Sequence, residues 1–281
     1  MTGRVCDTHV HVFDAERFPY ATPRRFTPGY AGVDLLRQHL CRIGAGRVVL
    51  VQPSVYGQDH RCLLDALASL GSAGRGVAVL GPQTDGTQVA ALDAAGVRGA
   101  RINLVVDGAS DAGRAREAIA RVSAQAPPHW HIQLHVDLPV IGALEALLLA
   151  SPRRFVLDHL GLPDGPSALG SAGWRALCRL AGTGKVAVKL SAAYLCAAGD
   201  GAALQPLVAS LARANPHAIV WGSNWPHTQG TARAAGADAG DTEPFREVDD
   251  RVWLAQCSEW LAAPGLPASV LDDNAEALYG F

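Results

Sequence analysis

Eight times along this chain a short run rich in β-branched residues gives way to a longer Ala/Leu-rich segment of helical spacing, and this rhythm narrows the possible folds more than any single motif does. The strand candidates are Val5 to Phe13, Val48 to Ser54, Gly76 to Pro82, Val97 to Leu104, His131 to Asp137, Arg154 to Gly161, Val186 to Ser191 and Ala218 to Asn224. Helix candidates lie near Asp34 to Ile43, Asp59 to Leu70, Thr87 to Ala95, Ala112 to Ala124, Leu138 to Ala150, Ala172 to Ala181, Leu204 to Ala214 and Glu247 to Ala262. Such units build either an open doubly wound sheet or a closed barrel. No strand leads into a GxGxxG or GxxxxGK[ST] turn, so the phosphate cradles of open sheets are missing. The expectation is an α/β fold, a (β/α)8 TIM-type barrel in one domain over residues 1–281. A short C-terminal helix, Ser269 to Phe281, offers Leu271, Leu278, Tyr279 and Phe281 for packing on the barrel.

Hydrophobic residues at 49% against 18% charged supply a large core, and a net charge of −2 without a run of Lys or Arg argues against nucleic acid as a partner. No apolar stretch reaches the roughly 20 residues that span a bilayer, and the N-terminus lacks the layout of a secretory signal, so a cytoplasmic protein without membrane contact is expected. The six cysteines form no CxxC pair, which argues against a zinc knuckle, a redox dithiol or a disulfide scaffold. Oligomeric state is not written in these features.

Side chains alternate along a strand, so residues two apart share a face, and in a barrel one face looks into the lumen. Asp7, His9 and His11 then share a face, opposite Cys6, Val10 and Val12. The same split sets His131, Gln133, His135 and Asp137 together, Arg101 with Asn103, Lys189 with Ser191, and Gln52 with Ser54. An unpaired buried polar group costs about 1–3 kcal/mol, so this many on inward faces implies a hydrated working cavity. Two imidazoles at the end of a first strand, His9 and His11, either bind a metal or polarise a carbonyl. His159 and His227 follow strand ends, where barrel enzymes carry their chemistry, whereas a lone strand histidine such as His131 reads as core. Asp158 reads as a residue that orients a neighbour or caps a turn. Two stretches break the rhythm, Asp14 to Val33 and Thr228 to Phe245, and both follow strand ends where substrate loops form.

Four motifs in order, DTHVHVF, FVLDHLG, IVWGSNWPH and DDNAEALYGF, resemble the amidohydrolase superfamily over nearly the whole chain. The likeness is to the branch of 2-pyrone-4,6-dicarboxylate lactonase, galactarolactone isomerase and muconolactone hydrolases. The resemblance implies a site at the C-terminal face of the barrel. His9 and His11 match its first-strand HxH, Arg101 a fourth-strand arginine for a substrate carboxylate or carbonyl, His159 the sixth-strand histidine, and Ser54 and His227 pocket residues. Tyr56, Asn103, His135 and, on the mouth loop, Tyr30 join the expected substrate contacts. In metal-dependent relatives the HxH, a later histidine and the strand-eight Asp hold one divalent ion, whereas the pyrone lactonase looks like a member that works without metal; no cofactor is therefore the first expectation here.

Two departures carry weight. Asn224 stands where the resemblance calls for an acid, and an amide neither takes a proton from water nor ligates a catalytic cation well. That reads either as an inactivated site or as a base role moved elsewhere. The loop after strand four, RINLVVDGAS, lacks the additional arginine that the dicarboxylate lactonase carries there, so the resemblance implies a monocarboxylated or uncharged lactone as the small-molecule substrate. In that reading His9, His11 and His159 polarise the carbonyl, Arg101 holds a nearby anionic group, and residue 224, as Asp, would direct water; with Asn224 the pocket should bind substrate but turn over slowly unless His227 or His159 substitutes as base. The alternatives are a mononuclear Zn or Mn hydrolase or decarboxylase using His9, His11 and His159 with His135, a lactone isomerase, and a non-catalytic ligand-binding barrel.

Overall fold

The computed structural model describes residues 5–105, 111–196, 201–229, 240–262 and 270–281. Eight parallel strands follow one another around a barrel in chain order: β1 (Val5–Val10), β2 (Ala45–Val51), β3 (Gly74–Ala78), β4 (Val97–Asn103), β5 (His131–His135), β6 (Phe155–Leu157), β7 (Val186–Leu190) and β8 (Ile219–Trp221). Around them run α1 (Val33–Ile43), α2 (Arg61–Leu70), α3 (Gly86–Ala94), α4 (Ala112–Gln125), α5 (Leu138–Ala150), α6 (Ala172–Gly182), α7 (Gln205–Ala214), α8 (Asp250–Ala262) and α9 (Val270–Tyr279). Side-chain caps start several of these helices: Asp85 with Gln88 forms a capping box on α3, and Asp111, Asp137 and Ser171 accept from the first turns of α4, α5 and α6. Asp137 is thus a cap on α5 and not a lumen residue, which corrects the alternation reading.

The last strand meets the first through hydrogen bonds at the strand ends. Thr8 Oγ1 donates to Trp221 O at 2.7 Å, Asn224 N to His9 O at 2.8 Å, and His11 N to Trp225 O at 2.8 Å. The expected barrel is therefore present, and its seam runs between β1 and β8.

Alternation fails at one place in β1. Asp7 lies opposite Val48 and Val10 opposite Leu50, so three steps on β1 answer two on β2, a bulge that inverts the side-chain faces behind it. Cys6 consequently packs inside with Val49, Val51, Val77 and Val220, while Asp7 turns outward to His39 on α1 at 3.2 Å. Beyond the bulge His9 and His11 face inward as expected. Gln52 also departs from the reading: its amide bonds Gly57 O, Asp59 O and Val79 N, tying the loops after β2 and β3.

The lower lumen is closed by α9, whose Ala275 and Tyr279 pack among Cys6, Val49, Val51, Val77 and Val220. Leu271 is buried, and Leu278 and Phe281 pack against the core, as the sequence indicates for this helix; Ser269 lies outside the described residues. Above Tyr279 the ring of His131 stands edge-on at 5.2 Å. It fits because its neighbour is Gly99, where a Cβ would come within 2.4 Å of the imidazole.

At the other end, the two rhythm-breaking segments meet. Thr27–Pro28 pairs in parallel with Thr242–Glu243, and Phe245 stacks on Phe13 with ring centroids 6.1 Å apart. Residues 230–239 of the second segment lie outside the described residues. Among the described residues no helix is long and apolar enough to cross a membrane.

Candidate active site

At the C-terminal end of the strands a cavity of about 200 Å³ is lined by His11, Ser54, Arg101, Asn103, His135, His159 and Asn224, seven of the residues that the sequence singles out. Its apolar walls are Phe13, Phe26, Pro53, Val105, Leu162 and Leu195. The loops that deliver His159 and Asn224 are tightly wound. His159, Leu160 and Leu162 after β6, and Asn224 and His227 after β8, all have φ between 52° and 69°. Non-glycine residues in that region cost about 1–3 kcal/mol each and gather at functional sites.

The polar heart is a buried ion pair. Arg101 Nε donates to Asp158 Oδ2 at 3.0 Å, and Asp158 Oδ1 lies 3.3 Å from His9 Nδ1. Lys189 Nζ donates to Thr8 O at 2.7 Å and approaches His9 Nδ1 at 3.4 Å. Burial alone would raise the Asp158 carboxyl, but His9, Arg101 and Lys189 overcome it and hold the group well below the usual carboxylate range. Burial pushes the Lys189 amine down to about 7, with Asp158 acting in the opposite direction.

His9, His11, His135 and His159 are held neutral at pH 7. Burial, reinforced by Arg101, lowers His11 to about 3; burial lowers His159 to about 4 against the pull of Asp158; and burial holds His9 and His135 well below 6.5. A neutral imidazole has one donor and one acceptor, and the partners fix which is which. His11 Nδ1 lies 2.7 Å from Val51 O, so it carries the proton and Nε2 keeps its lone pair. His135 Nδ1 faces Arg101 Nη2, a donor only, at 3.3 Å, so the proton sits on Nε2. His9 Nδ1 lies between Asp158 Oδ1 at 3.3 Å and Lys189 Nζ at 3.4 Å, an acceptor and a donor, so these partners do not fix the tautomer of His9. Both His9 Nε2 and His135 Nε2 are buried without a protein partner. His159 Nδ1 pairs with Ser191 Oγ at 2.8 Å, and its ring lies 4.8 Å from that of His9 and 5.0 Å from that of His135.

Three expected site residues stand elsewhere. His227 Nε2 meets Asp250 Oδ2 at 2.9 Å and lines a separate cavity behind the β8 loop with His39 and Trp225, because its left-handed backbone turns the side chain outward. Tyr56 is buried, and its hydroxyl accepts from Asp14 N at 2.8 Å, holding the loop after β1. Tyr30 is 54% exposed on the outer rim and donates to Asp34. Conversely, Asp158, Lys189 and Tyr194 belong to the site or its support and were not selected from sequence. The alternation in VKLS pointed Lys189 inward; nothing in the sequence marks Tyr194, which sits in a short turn after β7 and accepts from Asn224 Nδ2 at 2.7 Å.

For a cation, the structure groups His9 and His159 with Asp158 in place of His11, with their ligand atoms within 4.8 Å of one another. The charges around this set fit a divalent ion poorly. Asp158 is already engaged by Arg101, Lys189 stands beside His9, and residue 224 is an amide.

The chain is similar to proteins of one family. It is 29% identical over 248 residues to a 2-pyrone-4,6-dicarboxylate hydrolase of Comamonas testosteroni, covering 79% of this chain and 76% of that one. It is 27% identical over 281 residues to a 4-sulfomuconolactone hydrolase of Rhizobium radiobacter, covering 98% and 89%. Among solved structures, a putative 2-pyrone-4,6-dicarboxylic acid hydrolase of Pseudomonas putida superposes with a TM-score of 0.71 at 30% identity, over 100% of this chain and 98% of that one. The family model described as amidohydrolase matches residues 6–281, and the chain belongs to the amidohydrolase family.

Proposed function

We propose that this chain opens a lactone by direct attack of an oriented hydroxyl, water in the first instance, on a hydrogen-bonded carbonyl. The observation that carries the reading is the division of ring tautomers in one cavity. His135 offers an Nε2 proton and His11 an Nε2 lone pair, each fixed by a buried partner. The first suits a carbonyl oxygen that gains charge in the transition state; the second suits the hydrogen of the attacking hydroxyl. His11 therefore leaves the carbonyl-polarising set expected from sequence and joins the nucleophile side, in the same cavity as Asn224. Relatives that act on lactones support the substrate class.

Arg101 is the charged group of the cavity wall among the described residues, and Asp158 already balances it. A substrate with one carboxylate or none suits that balance, and two carboxylates do not. The loop sequence behind this expectation, residues 106–110, lies outside the described residues.

The test is a panel of neutral, monocarboxylated and dicarboxylated lactones, assayed with and without chelator on the parent chain and on Asn224→Asp, with metal content measured by mass spectrometry. Turnover that survives chelation and rises about 10²- to 10⁴-fold in Asn224→Asp is expected, the range for a positioned general base. One bound metal with chelator-sensitive turnover would move the assignment to the His9, Asp158 and His159 set. Ligand binding without turnover in either form would leave a binding barrel.

A further inference from the structure

We infer that the substrate is a lactone whose ring carries a hydrocarbon group, not a hydroxylated or charged one, an inference that rests on the lactone reading and narrows it. The cavity is polar at one level and apolar at the next. Its histidines, Arg101, Asn103 and Asn224 stand on the strands or within three residues of their ends, and most of the side chains that follow toward the mouth are hydrocarbon. After β1 the chain passes from His11 to Phe13, at the end of β4 from Asn103 to Val105, and after β6 from His159 to Leu162. The turn after β7 adds Leu195, and the long loop after β1 adds Phe26.

The exceptions are Ser54 after β2 and Thr228 and Gln229 after β8, the two strands that flank β1. Gln229 Nε2 is already engaged, donating to Pro244 O at 3.4 Å. Across the mouth, over β4, β6 and β7, the wall among the described residues is made by Val105, Leu162 and Leu195. Leu195 is 40% exposed and stands outside the hydrophobic core, so packing of the fold does not account for it. A hydroxyl or carboxylate set against this wall would give up its water and find no partner, whereas a hydrocarbon gains by leaving water. The substituent takes no part in the chemistry. Water adds across the acyl C–O bond, the carbonyl carbon becomes a carboxylic acid and the ring oxygen an alcohol, and the hydrocarbon group is unchanged. The wall therefore acts on it through binding alone.

The test is a series of γ-butyrolactones bearing hydrogen, methyl, ethyl or propyl on the carbon next to the ring oxygen, with hydroxymethyl and carboxyl as polar counterparts. From hydrogen to propyl, kcat/KM should rise about two- to fourfold per added carbon, fourfold being the value of a fully buried methylene. Hydroxymethyl, the same size as ethyl, should fall about tenfold below it. Leu195→Asn and Val105→Thr nearly keep the side-chain shapes and make the wall polar. Each should flatten the slope against chain length, which a smaller folded fraction would scale without tilting. Calorimetry with the matching γ-lactams, which keep the ring and carbonyl and have a more stable acyl–N bond, reads the same slope in Kd without turnover. Lactones opened with no gain from chain length, or with the polar substituents preferred, or with a slope untouched by both substitutions, would overturn the inference and leave the lactone reading standing. Lactams whose affinity climbs with chain length while no lactone opens would overturn the lactone reading and leave the hydrocarbon subsite.

Discussion

Arg101 and Asp158 meet through a 3.0 Å hydrogen bond from Nε to Oδ2, with both side chains buried. Removing one partner strands the other charge. Asp158→Asn is expected to destabilise the fold by about 3–5 kcal/mol, while Arg101→Met combined with Asp158→Leu recovers most of that and remains inactive. Urea denaturation of the two variants beside the parent chain checks this, and an Asp158→Asn chain as stable as the double variant would contradict it.

The tautomer argument gives an ordering at position 135. Gln can present an N–H where His135 Nε2 stands, and Leu cannot. His135→Leu should lower kcat about 10²- to 10³-fold, the scale for one donor to a developing oxyanion, with His135→Gln losing markedly less. Steady-state kinetics on the best lactone of the panel decides it; equal losses would remove His135 from the carbonyl.

Gly99 and His131 share one space. A Cβ at position 99 would come within 2.4 Å of the imidazole, so Gly99→Ala should cost about 1–3 kcal/mol through overpacking. In a His131→Ala background that cost should largely vanish. Thermal unfolding of the four proteins in the cycle reads the coupling, and additive effects would show that the ring moves aside without strain.

His131 also carries a pH signature. Burial lowers it from 6.5 to about 3. Between these values the unfolded chain binds a proton that the native one refuses. Stability assigned to this group is therefore full above pH 6.5 and falls by about 1.4 kcal/mol per unit as the pH drops toward 3. His131→Leu should flatten the acid limb of stability against pH by one proton in this window, measured by urea midpoints from pH 7 to 4. An unchanged slope would mean that the ring is already charged in the fold.

How much of this could be read in the chain depends on where each residue stands. Strand interiors obey alternation, so Arg101, His135 and Lys189 were placed inward without a structure. At Asp7 the rule broke, because a bulge adds a residue that no composition announces. The partners of Lys189 were also hidden, since Thr8 lies 181 residues away and only closure brings it near. Side chains on tight turns were least legible. His227 and Tyr56 have the residue types of a site, yet their backbones send them to Asp250 and to the loop after β1. Tyr194 has no motif at all; its relevance comes from the one atom it accepts from.

The seam between β1 and β8 passes through the loops of the candidate site, with His9 and Asn224 joined across it by a backbone hydrogen bond. Turnover is thereby an assay of ring completion: an intermediate with seven strand pairs formed and the eighth open would have nearly all its secondary structure and no assembled site. In a refolding experiment the recovery of activity should lag the recovery of ellipticity, by the time the two ends of the sheet need to find each other.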